Sequence, residues 1–158
     1  MPVLDHDRVR DFAGALRRDG RRVVLTHGIY DLLHPGHIRY LQAARAEGDA
    51  LIVAVNSDGS ARASTSPSRP VTPERERAEI VAALDSVDAA FIFDDPTPDA
   101  IIGLIQPDIL VEGTGWPADE VAGWNQAEAR GRRVVSIPVE PGWSTTSIID
   151  SIQRTSKP

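Results

Sequence analysis

Residues 22–37 read RVVLTHGIYDLLHPGH. The run from Arg22 to Thr26 is β-branched and aliphatic, the pattern of a strand buried on both faces. Gly28 lets the chain turn sharply off that strand. Pro35 then opens a segment with helical spacing, at a position where a missing N–H costs nothing. Strand, turn and helix follow one another with no linker, and the same alternation repeats outward in both directions. Further strands are expected at 51–56, 89–93, 109–111 and 133–138, and helices at 5–18, 35–47, 73–84, 98–105, 117–130 and 145–153. Strand and helix in alternation make the sheet parallel. The expected fold is therefore α/β: a single doubly wound, Rossmann-like domain over residues 1–158 with a five-stranded parallel sheet. In such folds ligands bind beyond the carboxyl ends of the strands, where strand order reverses.

Composition narrows the functional classes. A chain of 158 residues with 41% apolar and 25% charged residues suits one soluble globular core and leaves no room for a second activity such as a kinase. The absence of cysteine removes thiol nucleophiles, disulfides and cysteine-bound metals, and suits a reducing cytosol. Seventeen basic against 23 acidic residues give a net charge of −6, which disfavours nucleic acid and anionic membranes, so an anionic ligand needs a local positive site. The first ten residues carry charges where a signal peptide needs an apolar run, and no stretch reaches the ~20 apolar residues of a membrane span. A cytoplasmic protein is expected.

Three of the four histidines fall in the segment after the first strand: His27, His34 and His37. His34 and His37, three apart at a helix start, share a face next to outward-pointing backbone N–H groups. Two imidazoles at a helix N-terminus suit phosphate, above all where negative charge builds up in a reaction. The pair alone is also compatible with a satisfied surface pair, or with a nitrogen/oxygen metal site using Asp31 or His27, although no third ligand has the spacing of the familiar zinc helices. Residues 57–72 are rich in Ser, Gly, Pro and Thr and are expected to be a mobile lid or binding loop, or else a surface insertion. Ser144, Thr145 and Thr146 precede the last helix, where hydroxyl residues cap the N-terminus. Arg62, Arg69, Arg75 and Arg77 form a local positive cluster that could equally be paired with Glu74, Glu76 and Glu79.

The string from Gly28 to His37 resembles the nucleotidyltransferase superfamily marked by His-x-Gly-His after its first strand. Asn56-Ser57-Asp58, Arg69-Pro70-Val71 with Pro73 and Arg77, and the stretch from Gly142 to Ile149 around Ser-Thr-Thr extend the likeness over nearly the whole chain. The chain most resembles the D-glycero-β-D-manno-heptose 1-phosphate adenylyltransferase domain, and more distantly glycerol-3-phosphate cytidylyltransferase. The resemblance implies attack of a sugar-phosphate oxygen on the α-phosphorus of a nucleoside triphosphate with release of pyrophosphate. It further implies Mg²⁺ bound with the triphosphate, no metal site of the protein's own, and a homodimer. By this likeness His34 and His37 meet the α- and β-phosphoryl oxygens, Ser144 to Thr146 hold the β- and γ-phosphates, and Arg62 meets the acceptor phosphate. The nucleotide site would include Thr26, His27, Gly28, Tyr30, Asp31, Gly36, Asn56, Glu112 and Gly113, with Asp31 ordering the turn or helping to hold Mg²⁺. Arg69, Arg77 and Trp116 would join Arg62 at the acceptor.

This chain departs from the likeness in two places. Relatives usually carry lysine at the position of Glu112, and many carry asparagine at that of His27. Glu112 is open to several readings: holding a metal or a sugar hydroxyl, pairing with an arginine where the acceptor differs, or a harmless exchange. Two other functions compete: a cytidylyltransferase acting on glycerol 3-phosphate or another small alcohol phosphate, and a non-catalytic nucleotide-binding module.

Overall fold

The computed structural model describes residues 3–113, 128–129 and 131–156. In chain order these hold β1 (Val3–Leu4), α1 (His6–Arg18), β2 (Val23–Gly28), α2 (Pro35–Ala46), β3 (Ala50–Asn56), α3 (Asp58–Ser64), α4 (Glu74–Ala82), β4 (Ala89–Phe93), α5 (Asp99–Ile105), β5 (Ile109–Gly113), β6 (Arg133–Ile137) and α6 (Thr145–Thr155). The sheet has six strands in the order β1-β4-β3-β2-β5-β6, every pairing parallel. The chain steps from β2 outward through β3 to β4, then crosses back to lay β5 on the other side of β2. The reversal of strand order therefore falls between β2 and β5.

The doubly wound fold stands with one strand more than expected. Val3–Leu4 is too short to show a period, and it becomes a strand by pairing Val3 with Ala90 and Leu4 with Phe91 at the sheet edge. A second difference lies in 57–72, where a loop was expected throughout. Ser57 caps a helical turn by accepting from the Ser60 N–H, and Ala61 is buried beneath it, so α3 forms from weak helix formers by capping and packing. β2 and β5 each run two residues further than their apolar runs, which takes His27–Gly28 and Glu112–Gly113 into the sheet. The helix expected over 117–130 lies almost wholly outside the described residues, as does Trp116.

Both sheet faces are covered. Alternate strand residues Val23, Leu25, Ala50, Ile52 and Ala54 pack with α1 and α5 through Val9, Ala13, Leu16, Ile101, Ile102 and Ile105. The intervening Val24, Leu51, Val53 and Val55 pack with α2 and α4 through Leu41, Ala44, Ala78 and Val81. Two-sided burial is why the strands read as continuous apolar runs. No helix among the described residues is long and apolar enough to cross a membrane.

Candidate active site

At the carboxyl ends of β2 and β5 lies a cleft of about 800 Å³, placed where the crossover leaves the strand ends uncovered. Its walls come from the turn after β2, the start of α2, the end of α3 with Thr65, Arg69, the end of β5, and the segment leading into α6. Of the residues singled out from the sequence, the cleft brings together His27, Gly28, Tyr30, Asp31, His34, Gly36, His37, Asn56, Arg69, Glu112, Gly113, Ser144 and Thr145.

The turn between β2 and α2 is strained: Tyr30 and Leu32 have φ of 52° and 44°, left-handed values that side chains with a Cβ seldom adopt. Asp31 holds it. The buried Asp31 carboxylate accepts from the N–H groups of Val71 (2.7 Å) and Thr72 (3.0 Å), and its carbonyl accepts from Thr145 Oγ1 at 2.6 Å. One residue thus clamps three segments of the cleft wall together, which is the turn-ordering role among the two expected of it.

His34 is the N-cap of α2 without a side-chain capping bond, so its ring is free to stack. The His34 and His37 rings lie 3.8 Å apart at an interplanar angle of 20°, and Trp143 stacks on His34 at 6.4 Å and 16°. Tyr30 meets His37 edge-on at 5.6 Å. Gly36 owes its identity to this stack, because a Cβ there would sit 2.9 Å from His34 Nδ1 and 3.0 Å from Trp143 Cβ. Burial first, and His34 beside it second, push the His37 pKa down to about 4 against the opposing pull of Asp31. Burial also lowers His34. Both rings are therefore neutral near pH 7, and each Nδ1 is buried with no hydrogen-bond partner. An orphaned N–H costs more than a bare lone pair, so the proton belongs on Nε2, the nitrogen left to reach a ligand.

Gly28 and Gly113 line the cleft and also leave room for aromatic rings. A Cβ at Gly28 would meet the Tyr30 ring at 3.0 Å, and one at Gly113 would meet the Tyr40 ring at the same distance. Burial raises the pKa of both tyrosines. Thr26 is wholly buried and lies behind the wall, its hydroxyl 2.7 Å from Tyr40 Oη, which donates in turn to the Val111 carbonyl.

The arginines part company. Arg69 lines the cleft and donates to Thr146 Oγ1 at 3.2 Å. Arg62 is exposed on α3 and is not among the lining residues. Arg77, expected at the acceptor, is 1% exposed and does not reach the cleft. Its guanidinium donates to the carbonyls of Thr72 (2.9 Å), Ile29 and Asn56 (2.9 Å) and to Asp58 Oδ1 (2.8 Å). A fork with every arm engaged internally is a brace for the strand ends.

Ser144 caps α6 by accepting from the Ser147 N–H at 3.0 Å, so the capping reading holds while the residue also lines the cleft. Glu112 Oε1 accepts from His27 Nε2 at 2.8 Å. Among the described residues no group of three or more His, Asp or Glu side chains converges on a metal position. Sequence reasoning did not single out Trp143 or Tyr40 as cleft residues, although Trp143 stands immediately before Ser144-Thr145-Thr146; Ser64 and Thr65 fall within the 57–72 segment expected as a lid or binding loop, and both line the cleft.

A family model described as cytidylyltransferase-like matches residues 25–151, which takes in every cleft element described above. The chain belongs to the cytidylyltransferase-like family. Among curated proteins it is similar to the bifunctional protein HldE of Methylobacillus flagellatus, 46% identical over 133 residues, 84% of this chain and 27% of the relative. The HldE of Rhodopseudomonas palustris is 48% identical over 138 residues, 87% of this chain and 28% of the relative. That of Salmonella paratyphi B is 42% identical over 155 residues, 98% and 32%. The chain thus spans about a third or less of the length of these relatives. Among solved structures, a lipopolysaccharide core biosynthesis protein from Thermoplasma volcanium matches with a TM-score of 0.64 and 27% identity, covering 77% of this chain and 98% of that one.

Proposed function

We propose that this chain, a nucleotidyltransferase by family, transfers the adenylyl group of ATP to D-glycero-β-D-manno-heptose 1-phosphate and releases pyrophosphate. The observation that carries the reading is the stacked His34–His37 pair at the start of α2, facing a cleft that also receives the start of α6. The 42–48% identity to HldE proteins supports the acceptor.

An acceptor phosphate oxygen forms the new bond to the α-phosphorus as the bond to the bridging oxygen of pyrophosphate breaks. With a second pKa of about 6, the phosphate is largely ionised at neutral pH and needs no general base. What remains is alignment and neutralisation of charge. Nε2–H of His34 and of His37 donate to the α- and β-phosphoryl oxygens. The segment from Ser144 to Thr146 and the α6 N-terminus receive the β- and γ-phosphates. Arg69, the arginine lining the cleft, takes the acceptor phosphate in place of the outlying Arg62. Mg²⁺ would enter with the triphosphate as part of the substrate and offset the charge of the phosphates.

Pyrophosphate release, measured with ATP or CTP against heptose 1-phosphate, glycerol 3-phosphate and other sugar phosphates in Mg²⁺, tests the reading. Turnover is expected with ATP and the heptose. Turnover confined to CTP with an alcohol phosphate would replace the substrate pair, and no turnover with any pair would leave a binding module. The same reading places the protein in the cytoplasm, where its substrates are, as a homodimer, which light scattering tests.

A further inference from the structure

The phosphate chemistry leaves two residues of the cleft without a task. His27 and Glu112 sit on adjacent strands in the same register, since Val24 pairs with Ile109 and Leu25 with Leu110, and the side chains meet at 2.8 Å. Both are largely buried, and His27 is further fixed edge-on against Phe93 at a ring distance of 6.0 Å. A buried carboxylate repels phosphate, so this corner of an anion-binding cleft is not a phosphate subsite. The carboxylate accepts from His27 Nε2, so the imidazole holds one of its oxygens in place. His27 engages Oε1 of Glu112, and the carboxylate lines the cleft wall. The corner therefore turns a carboxylate, fixed by His27, towards the donors of a ligand.

We propose that Glu112, positioned by His27, binds a pair of sugar hydroxyls and so selects ligands that carry them. The proposal rests on the nucleotidyl-transfer reading, in which both reactants bring a sugar ring into this cleft. Vicinal hydroxyls supply two donors to one carboxylate, and both reactants carry such a pair. The hydroxyls can belong to the ribose or to the acceptor sugar.

The experiment compares wild type, E112A, E112Q, H27A and H27Q, reading kcat/KM for ATP against 2′-deoxy- and 3′-deoxy-ATP and for the acceptor against its deoxy analogues. Calorimetric binding of the same nucleotides runs in parallel. Wild type should prefer the hydroxyl-bearing ligand by about ten- to hundredfold, the range of a hydrogen bond to a charged group. E112A should bring that preference close to unity, in the nucleotide series if the ribose is bound and in the acceptor series if the other sugar is. E112Q keeps the shape but loses the charge and should fall between. H27A should lose most of the preference, and H27Q, which can still donate to Glu112, should restore it. Should E112A fail to fold, E112Q decides. Preferences unchanged by these substitutions in active enzyme would overturn the proposal and leave nucleotidyl transfer standing. A wild type that releases no pyrophosphate yet binds ATP over its deoxy analogues through Glu112 would overturn the reaction and keep the ribose contact.

Discussion

Replacing Arg77 by methionine keeps most of the side-chain volume and removes every donor. The wild-type guanidinium, 1% exposed, satisfies three carbonyls and one carboxylate drawn from the turn after β2, the end of β3, the start of α3 and the segment before α4. Breaking a buried charged network by removing one partner costs about 3–5 kcal/mol, because the acceptors left behind are desolvated and unpaired. For a chain of this length each kcal/mol lowers Tm by roughly 2–4 °C, so a fall of about 6–20 °C is expected. Thermal unfolding followed by circular dichroism, with urea unfolding to confirm an unchanged m-value, measures it. Arg69→Met is the matched control: its guanidinium donates to an exposed threonine, so stability should stay within about 0.5 kcal/mol while KM for the acceptor rises. If Arg77→Met melts within 2 °C of wild type (an assay margin of about 0.5–1 kcal/mol) and instead raises the acceptor KM, Arg77 is a ligand contact and its reading as a brace is wrong.

Three further outcomes are expected. His34→Ala and His37→Ala should each lower kcat by about a hundredfold, on the order of 3 kcal/mol, with melting little changed; wild-type turnover in both would remove the histidines from the mechanism. Gly36→Ala should lower turnover by about tenfold or more with little effect on stability, since its Cβ displaces the His34 ring, and misplacement by about 1 Å can cost that much; an alanine variant as active as wild type would count against the stacked geometry. Because His37 titrates near pH 4 in the fold and near ~6.5 in the unfolded chain, the unfolded state binds more protons between those values. The stability of the free protein should therefore be full above about pH 6.5 and fall as pH drops towards 4. Urea midpoints at pH 7, 6 and 5 should show the slope, and His37→Gln should flatten it; an equal slope in the variant refutes the assignment.

The parts of the site that could be read in advance are those encoded locally. The Gly28–His37 string announces strand, turn and helix start within one short stretch, and Ser144 before α6 announces a cap. What could not be read rests on partners distant in the chain. Arg62, Arg69 and Arg77 look alike as exposed or paired cations, yet packing puts one outside the cleft, one on its wall and one beneath it. Val3–Leu4 has too few residues for a period and becomes a strand only because β4 offers an edge.

By itself, the sequence determined the parallel α/β class and the phosphate-suited end of α2, because burial on two faces and helix capping act over a few residues. Tertiary structure alone decided which charges meet. His27 and Glu112 are 85 residues apart, and each looks anomalous in isolation. The crossover that sets β5 beside β2 in that register makes them one hydrogen-bonded pair, since strand order and register are long-range pairings that no local pattern encodes.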